Sequence, residues 1–448
     1  MTAHATACPA VLIAAPASDQ GKTTVACALA RLHARQGRRV RAFKCGPDFL
    51  DPYWLGLASQ APVHSLDLWM TGEDDCATRL AQAAQDADLV IVEGVMGLFD
   101  GNPSAADLAR RFGLPVLTVI DASAMAGTFG ALAFGLQNYQ AGLPWAGVLA
   151  NRVAGDRHAG MLQQALTEPQ HWLGALPRSP ALALPERHLG LVMTSELADA
   201  QSRLDAAADA LAVTPLGQLT STEWQRWKVT FELPDRSTPS VTPLLRGKTV
   251  AVARDDAFCF IYAANLDCLQ ALGATLVFFS PLTQARLPPC DAVWLPGGYP
   301  ELHAPELSRN RTLRDDLTGH VAQGKPVWAE CGGMMPLFET LRTADGHIHA
   351  MWGLLPGEVA MQQRLAALGP QQLVLDGEVL RGHTFHHSIC DTSLTEAART
   401  SRPGSAAVPG QGEALYRQGS LRATYFHAWF ASHPQATARL FLPTGDAA

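Results

Sequence analysis

Two short stretches of the sequence combine residue types that could do chemistry. The first is Gly21-Lys22-Thr23-Thr24, which follows the apolar run Val11–Ala15 and a loop of small residues. Backbone N–H groups in such a turn can hold phosphate oxygens, a lysine can reach the outer phosphates, and a threonine hydroxyl can bind Mg²⁺. The second stretch is Glu330-Cys331-Gly332-Gly333, where a single cysteine follows another apolar run. A thiolate at that position would be a nucleophile.

The elements around the first stretch support phosphate binding. Val11–Ala15 is predicted to be a buried parallel strand, and apolar residues at helical spacing follow from Val25 as far as the stop at Gly37. Strand, Gly-Lys-Thr loop and helix together are typical of P-loop nucleotide-binding proteins, although Pro16 stands where the usual pattern has glycine. We therefore expect the loop to bind ATP, with Lys22 on the β and γ oxygens and Thr23 on Mg²⁺. The ATP-binding residues predicted within the loop are Ser18, Gly21, Lys22, Thr23 and Thr24.

Polar residues follow the next two predicted strands. Lys44 ends the strand Arg39–Lys44, and Asp48 lies in the loop of glycine and prolines that follows it. Glu93 ends the apolar run Asp88–Glu93, as the Walker-B carboxylate of a nucleotide-binding protein does. Because parallel strands carry ligands at their carboxyl ends, we expect Lys44 at the phosphates, and Asp48 and Glu93 with Thr23 at the Mg²⁺ ion. The alternatives are a solvated turn for Lys44 and Asp48, and a helix cap for Glu93.

Two further strands are predicted in this half, at residues 114–121 and 145–151. The second ends in Asn151, whose amide could contact the nucleobase of ATP or could tie down a turn.

The pattern loosens between residues 214 and 246, where threonines, serines and prolines accumulate. We therefore predict a domain at residues 1–213, a linker at 214–246 and a second domain at 247–448. A new α/β pattern opens at Lys248, and the strand 291–295 leads into Gly297 and Gly298, whose backbone N–H groups could converge on an anion. Cys331 then lies on a predicted strand–turn–helix elbow, where the helix N-terminus would favour the thiolate. A buried inert cysteine is the alternative.

A base for Cys331 is predicted near the end of the chain. Arg422–His427 is predicted to be a strand that ends in His427, and strand ends in this fold gather at the edge that carries the elbow. His433, which Pro434 follows, is the alternative candidate for the base. A separate histidine-rich segment, residues 381–388, lacks the carboxylate or cysteine partners of a metal site. We expect this segment to be a loop near the domain interface.

Bulk composition excludes several classes of function. The 448-residue chain is 48% hydrophobic and carries a net charge of −7, which argues against a nucleic-acid partner. No stretch is long and uncharged enough to span a membrane, and we expect the N-terminus not to be a signal peptide, because no basic region leads into an apolar one. Nine cysteines without a Cys-x-x-Cys pair argue against structural zinc and disulfides, and indicate reduced thiols in the cytoplasm.

Longer motifs then point to one family. Residues 43–52, 93–101 and 187–191 resemble motifs of the cobyrinate (or hydrogenobyrinate) a,c-diamide synthase family, which often has Ala-Pro in its phosphate loop. Ala329–Gly333, Gly297–Glu301 and the tyrosine–histidine segment at 425–427 resemble class I glutamine amidotransferases. Most members of that class follow the histidine with Pro-Glu, whereas Ala428-Trp429 follows here.

The resemblance covers nearly the whole chain and implies two α/β, doubly wound domains, a P-loop ATPase of the dethiobiotin-synthetase kind and a class I glutaminase. It implies Cys331 and His427 as the catalytic pair, with Gly297, Gly298 and Gly332 at the oxyanion and glutamine site. The substrates would be a corrinoid acid, ATP and glutamine, the a and c carboxylates would be amidated through acyl phosphates, and a homodimer is expected. The alternatives are another tetrapyrrole acid, such as nickel-sirohydrochlorin or a later corrinoid, and a partition-type P-loop switch ATPase.

Overall fold

The computed structural model describes residues 5–187, 190–191, 197–234 and 241–443. The chain divides into two compact units, Met1–Ser237 and Thr238–Ala448. This division falls within the predicted linker, but part of that linker is regular structure in the first unit. The predicted motif at 187–191 lies partly outside the described residues.

The strands of the first unit form mainly one parallel sheet. In chain order they are β1 (Thr6–Ala14), β2 (Val40–Cys45), β3 (His64–Leu66), β4 (Leu89–Glu93), β5 (Val116–Asp121), β6 (Trp145–Val153), β7 (Trp172–Pro177), β8 (Glu186–Arg187), β9 (Gly190–Leu191) and β10 (Lys228–Phe231). The sheet order is β3-β2-β4-β1-β5-β6-β7, with neighbours parallel, and β10 adds antiparallel to the first half of β1. Their apolar residues are buried because helices cover such a sheet.

The helices of the first unit follow the strands along the chain. They are α1 (Lys22–Arg35), α2 (Asp51–Ser59), α3 (Glu73–Asp86), α4 (Ala105–Phe112), α5 (Thr128–Asn138), α6 (Asp156–Gln164), α7 (Ala200–Ala212) and α8 (Ser221–Trp224), with a π-helical turn at Leu68–Gly72 and 3₁₀ turns at Pro169–His171, Pro180–Leu182 and Gln225–Trp227. Helix α1 starts directly after Gly21, whose φ of 93° turns the chain from loop into helix. The carboxyl ends of β2, β4 and β6 lie near the start of α1, as contacts of Lys44, Glu93 and Asn151 at or next to these ends show.

The second unit contains a mixed sheet and two smaller ones. Its strands are β11 (Thr249–Ala253), β12 (Thr275–Phe279), β13 (Ala292–Leu295), β14 (Val327–Glu330), β15 (Thr340–Arg342), β16 (Ile348–Ala350), β17 (Glu358–Met361), β18 (Ala367–Leu375), β19 (Glu378–His386), β20 (Ser388–Asp391), β21 (Glu396–Arg399), β22 (Ala414–Gln418), β23 (Leu421–Thr424) and β24 (His427–Ala428). The main order is β12-β11-β13-β14-β23-β22-β21, parallel from β12 to β23. The smaller sheets are β16-β15-β17-β20 and β18-β19-β24.

Helices α9 (Ala263–Ala271), α10 (Ala304–Arg309), α11 (Arg311–Ala322) and α12 (Pro434–Leu440) complete the second unit, with 3₁₀ turns at Pro300–His303, Cys331–Leu337 and Phe430–Ser432. Within the described residues, no helix has the length and apolar character needed to cross a membrane.

Three predictions about local structure were wrong. The strand predicted to run from Arg422 to His427 ends at Thr424, and His427 belongs to β24, in a different sheet. The segment 381–388 is mostly strand β19 rather than a loop, because it pairs with β18 on one side and β24 on the other. The helix predicted after Cys331 is a 3₁₀ turn with Pro336 inside it.

Candidate active sites

The phosphate loop of the first unit is anchored from the end of a neighbouring strand. Asn151, near the end of β6, donates from Nδ2 to the Gln20 carbonyl at 2.9 Å, and a Cβ at Gly21 would collide with this amide. The Gln20 side chain in turn accepts from the backbone N–H of Asp121 at 2.9 Å. Lys22 folds back to donate to the Ala17 carbonyl at 2.9 Å. Asn151 thus ties down the loop, and its contact with a nucleobase stays a prediction.

Next to this loop, four charged or polar side chains meet in a buried cluster. The Lys44 Nζ lies 2.5 Å from Asp51 Oδ2 and 3.1 Å from Glu93 Oε1. The Thr23 hydroxyl donates to the same Glu93 oxygen at 2.5 Å and to Asp51 at 3.3 Å. The structure therefore brings together Thr23, Lys44 and Glu93, which lie far apart in the sequence, and Asp51 joins them.

Burial and proximity set the charges of this cluster. Burial alone would lower the pKa of Lys44, but Asp51 and Glu93 together raise it well above its ordinary value. Burial raises the pKa of Glu93, more than Lys44 lowers it. Burial also acts on Asp51, but its direct contact with Lys44 keeps the pKa of that carboxyl below its ordinary value. The cluster thus holds Lys44 charged and leaves Glu93 the carboxylate that most needs a further cation.

The oxygen atoms of the cluster fit Mg²⁺. Glu93 Oε2 is fully buried and has no hydrogen-bond partner among the described residues. Across the part of the chain that the structure describes, no three acidic, histidine or cysteine side chains form a ready-made metal cage, and here Lys44 stands between the carboxylates. Mg²⁺ needs only one or two protein carboxylates when substrate phosphates supply the other ligands. Thr23 and Glu93 would hold such an ion, with Asp51 beside them.

Asp48 lies at the edge of this cluster. Its Oδ1 accepts from the backbone N–H groups of Leu50 and Asp51 at 2.9 and 3.0 Å, and its Oδ2 is 3.9 Å from Lys44 Nζ. Asp48 therefore shapes the turn that presents Asp51, as well as facing the cluster. The role of Asp48 as a metal ligand stays a prediction.

A cavity of 960 Å³ opens over the phosphate loop and the cluster. Ser18, Gly21, Lys22, Thr23, Thr24 and Asn151 all line it. The segment 177–184, after β7, forms part of its wall, and the sequence had not indicated this segment. The segment follows the carboxyl end of a parallel strand, where ligands bind in such sheets, and this position could have indicated it from the sequence.

In the second unit, Cys331 lies on a sharp turn at the end of β14. Its φ of 47° is in the left-handed region, which a non-glycine residue adopts at a cost. Gly332 is packed so closely on Gly298 that a Cβ at Gly332 would lie 2.7 Å from the Gly298 oxygen. The predicted elbow and the predicted glycine loop are therefore in direct contact. The Gly332 backbone N–H also faces the Cys331 sulfur and lowers its pKa.

The resting thiol of Cys331 is protonated. Burial raises its pKa well above the ordinary range, and the carboxylates of Glu301, Glu413 and Glu330 raise it further. The Sγ–H donates to the Phe385 carbonyl at 3.7 Å. The thiolate that a helix N-terminus was expected to favour is thus absent at rest, and a base must remove the proton.

His427 is buried beside the glycine loop. A Cβ at Gly297 would lie 2.5 Å from His427 Cε1, so the ring lies against the backbone that contacts the elbow. Glu330, the residue before Cys331, accepts from the Ala428 backbone N–H at 3.3 Å and from the Trp328 indole at 2.6 Å. Burial, with contributions from His383 and His386, lowers the pKa of His427 well below its ordinary value. The ring is therefore neutral at rest.

His433, the rival base, has another role. Its Nδ1 accepts from the Ala436 backbone N–H at 3.2 Å at the start of α12, and lies 3.7 Å from Glu378. It caps a helix, and this position favours His427 as the base.

Comparison with known proteins identifies both units. The family model for the CobQ/CobB/MinD/ParA nucleotide binding domain matches residues 11–192, and that for the CobB/CobQ-like glutamine amidotransferase domain matches residues 249–435. The chain is 57% identical to hydrogenobyrinate a,c-diamide synthase of Stutzerimonas stutzeri (strain A1501), over 97% of this chain and 99% of that protein. The chain belongs to the a,c-diamide synthase family.

Two other relatives agree with this assignment. Hydrogenobyrinate a,c-diamide synthase of Pseudomonas aeruginosa is 54% identical, over 98% of this chain and 99% of that protein. Cobyrinate a,c-diamide synthase of Herminiimonas arsenicoxydans is 48% identical, over 97% of this chain and 96% of that protein. The predicted family and α/β fold class are confirmed. The protein is a glutamine-dependent amide-forming ligase, so the alternative of a switch ATPase without amidation is wrong.

Near Cys331, sequence reasoning missed three buried residues. The Glu413 carboxylate accepts from Thr384 at 2.8 Å and lies 3.2 Å from His386 Nε2. The His386 ring is stacked on Tyr425, with centroids 3.8 Å apart. Glu413 had no signal in its local sequence, whereas Tyr425 lies in the tyrosine–histidine segment that carries the resemblance and His386 lies in the histidine-rich segment 381–388.

Proposed function

We propose that the chain converts the a and c carboxylates of hydrogenobyrinate to amides, using ATP and glutamine. The observation that carries the substrate is 57% and 54% identity, over almost the whole chain, to two proteins named for that activity. The two sites supply the complementary chemistry, one for phosphates and one for glutamine.

In the first unit, a substrate carboxylate oxygen would attack the γ-phosphorus of ATP, and ADP would leave. Lys22 and Lys44 would stabilise the negative charge on the phosphate oxygens, and Thr23, Glu93 and Asp51 would hold Mg²⁺. When bound, Mg²⁺ would neutralise charge on the β and γ oxygens. The product is an acyl phosphate, whose phosphate is a good leaving group.

In the second unit, His427 would take the thiol proton, and the Cys331 sulfur would attack the carboxamide carbon of glutamine. Backbone N–H groups of Gly298 and Gly332 are the candidates for stabilising the oxyanion, and Gly297 would lie beside them. Ammonia would leave with a proton from His427, and water would release glutamate from the thioester. The ammonia would attack the acyl phosphate, so that a C–N bond forms and the C–O bond to phosphate breaks.

The direct test is mass spectrometry of the ring products after incubation with ATP, Mg²⁺, glutamine and one ring acid at a time. We expect hydrogenobyrinate to gain two amides. Cobyrinate is the second candidate because the 48% identical relative is named for it. If the protein hydrolyses glutamine but amidates neither hydrogenobyrinate nor cobyrinate, the proposal is contradicted. Other tetrapyrrole acids would then be the substrates to test. We further infer a cytoplasmic enzyme, since none of the nine cysteines forms a disulfide bond.

A further inference from the structure

The catalytic histidine of the second unit lacks the sequence neighbour that would usually orient it. Ala428 and Trp429 follow His427, where most class I amidotransferases have Pro-Glu. A base that serves a buried thiol must nevertheless present one ring nitrogen in a fixed direction, and a third group normally sets that direction. The surroundings of the His427 ring show which group can do so here.

His383 lies against the His427 ring. The two residues are direct partners in the antiparallel pairing of β19 with β24. Their rings are stacked, with centroids 4.9 Å apart and planes 14° from parallel. Gly297 also lies against the ring, at a distance that leaves no space for a Cβ, and the Phe260 ring is 6.1 Å away, centroid to centroid. Rotation of His427 out of this slot would require His383 or the glycine backbone to move.

His383 is itself held in place. The Tyr262 hydroxyl lies 3.3 Å from His383 Nδ1, and the Tyr262 ring packs edge-on to Trp429. Asn265, one turn further along α9, donates to the Ala428 carbonyl at 2.8 Å and accepts from the Phe430 N–H at 2.9 Å. The start of α9 therefore fixes both His383 and the strand that carries His427.

The charge state of the pair suits this role. Burial lowers the pKa of His383 to about 3, so His383 is neutral near pH 7. His383 therefore offers His427 a flat, neutral ring for stacking, and it also contributes to the lowered pKa of His427.

We propose that His383 is the positioning residue for His427, whose ring it holds in one orientation by stacking, with Tyr262 holding His383. The flat ring of His383 would do what a carboxylate does beside the base in other amidotransferases. This inference rests on the proposed glutaminase chemistry of Cys331 and His427.

Two substitutions of similar volume separate stacking from simple filling of space. His383→Phe keeps a flat ring, and His383→Leu does not. We expect His383→Leu to lower kcat for glutamine hydrolysis about 100-fold, because a misdirected base costs about that much, with KM for glutamine changed by less than about threefold. His383→Phe should retain kcat within about fivefold of wild type. Amidation with ammonium salt should be unchanged in both, which reports that the variants are folded.

The matched control is the exposed His347, substituted in the same two ways, which should leave all rates unchanged. If His383→Leu disturbs folding, Tyr262→Phe provides a second test, because it removes only the hydroxyl that contacts His383. We expect Tyr262→Phe to lower kcat for glutamine hydrolysis and to leave KM for glutamine unchanged. Equal kcat values for the Phe and Leu variants at position 383, or a Tyr262→Phe variant with wild-type kcat, would overturn the inference. A wild-type protein without glutaminase activity would instead contradict the proposed function.

Discussion

In the first unit, Thr23 and Lys44 each lie within hydrogen-bonding distance of the Asp51 and Glu93 carboxylates. In the second unit, by contrast, His427 lies among uncharged rings and glycine backbone. The first site concentrates charge of both signs in a buried place, and one carboxylate oxygen is left unpaired there, among the described residues. The second site keeps the Cys331 thiol protonated and the His427 ring neutral.

This difference indicates what each site needs in order to work. Buried charges that are incompletely paired are costly, so the first site gains most from the cation and phosphates that would complete it. The second site needs no counter-ion at rest, and its reactive thiolate would form only as the proton moves to His427. If the two chemistries are independent, a substitution in one site should remove the chemistry of that site and leave the other intact.

The largest expected effect is that of Cys331→Ser. Glutamine-dependent amidation should fall by at least about 1000-fold, because the thiolate nucleophile is lost. Amidation with added ammonium salt at high pH should persist, since the charged cluster is untouched. Both rates are measured from ring products by mass spectrometry. Loss of both in a folded variant would show that the two chemistries are not separable.

The next effect distinguishes two histidines. His427→Asn should lower glutamine hydrolysis about 100-fold or more, as loss of a general base does. His433→Asn should retain most of the activity, because Asn can also cap α12. Release of glutamate, measured directly, gives the comparison. The reverse ranking would assign the base to His433.

Much of the first site could be predicted from the sequence because its parts lie at the ends of strands. Lys22, Thr23 and Glu93 follow or end apolar runs, and parallel strands bring such ends to one edge. Asp51 was missed since it opens a helix rather than ending a strand. It lies three residues after Asp48, and only the turn between them shows that Asp51 is the one in contact with Lys44.

In the second site, the cysteine turn was predictable and the surroundings of the base were not. Cys331 is marked by Gly332 and Gly333, which are adjacent to it in sequence. His427 instead leaves the strand that precedes it and pairs with β19, and this long-range pairing has no local signature. Glu413 reaches Thr384 from 29 residues away, for the same reason.

A third prediction compares the acids of the first site. Glu93→Gln and Asp51→Asn should each lower ATP-dependent turnover about 100-fold, since each removes a charge that contacts Lys44 in the buried cluster. Asp48→Asn should cost no more than about tenfold, because its first oxygen mainly caps a turn. Glutamine hydrolysis without ATP is the internal control and should be unchanged. A larger loss for Asp48→Asn than for Asp51→Asn would make Asp48 the metal ligand.

The smallest predicted effect concerns stability in acid, and it tests the neutral state of the second site. The folded pKa of His383 is about 3, below the ordinary value of 6.5, so between these values the unfolded chain binds a proton that the folded chain does not. Stability contributed by this group is therefore complete above pH 6.5 and is lost as the pH falls. At pH 5 the loss is about 2 kcal/mol for one histidine.

Carboxylates with raised pKa values, such as Glu93, act in the opposite direction, so the wild-type curve alone does not isolate His383. His383→Phe removes only this titrating group. The free energy of unfolding, measured with denaturant at pH 7 and pH 5, should therefore decrease about 2 kcal/mol less for His383→Phe than for wild type, while His347→Phe should match wild type. The same decrease in all three proteins would mean that His383 accepts its proton in the folded state, and the base beside it would then face a charged neighbour rather than a neutral ring.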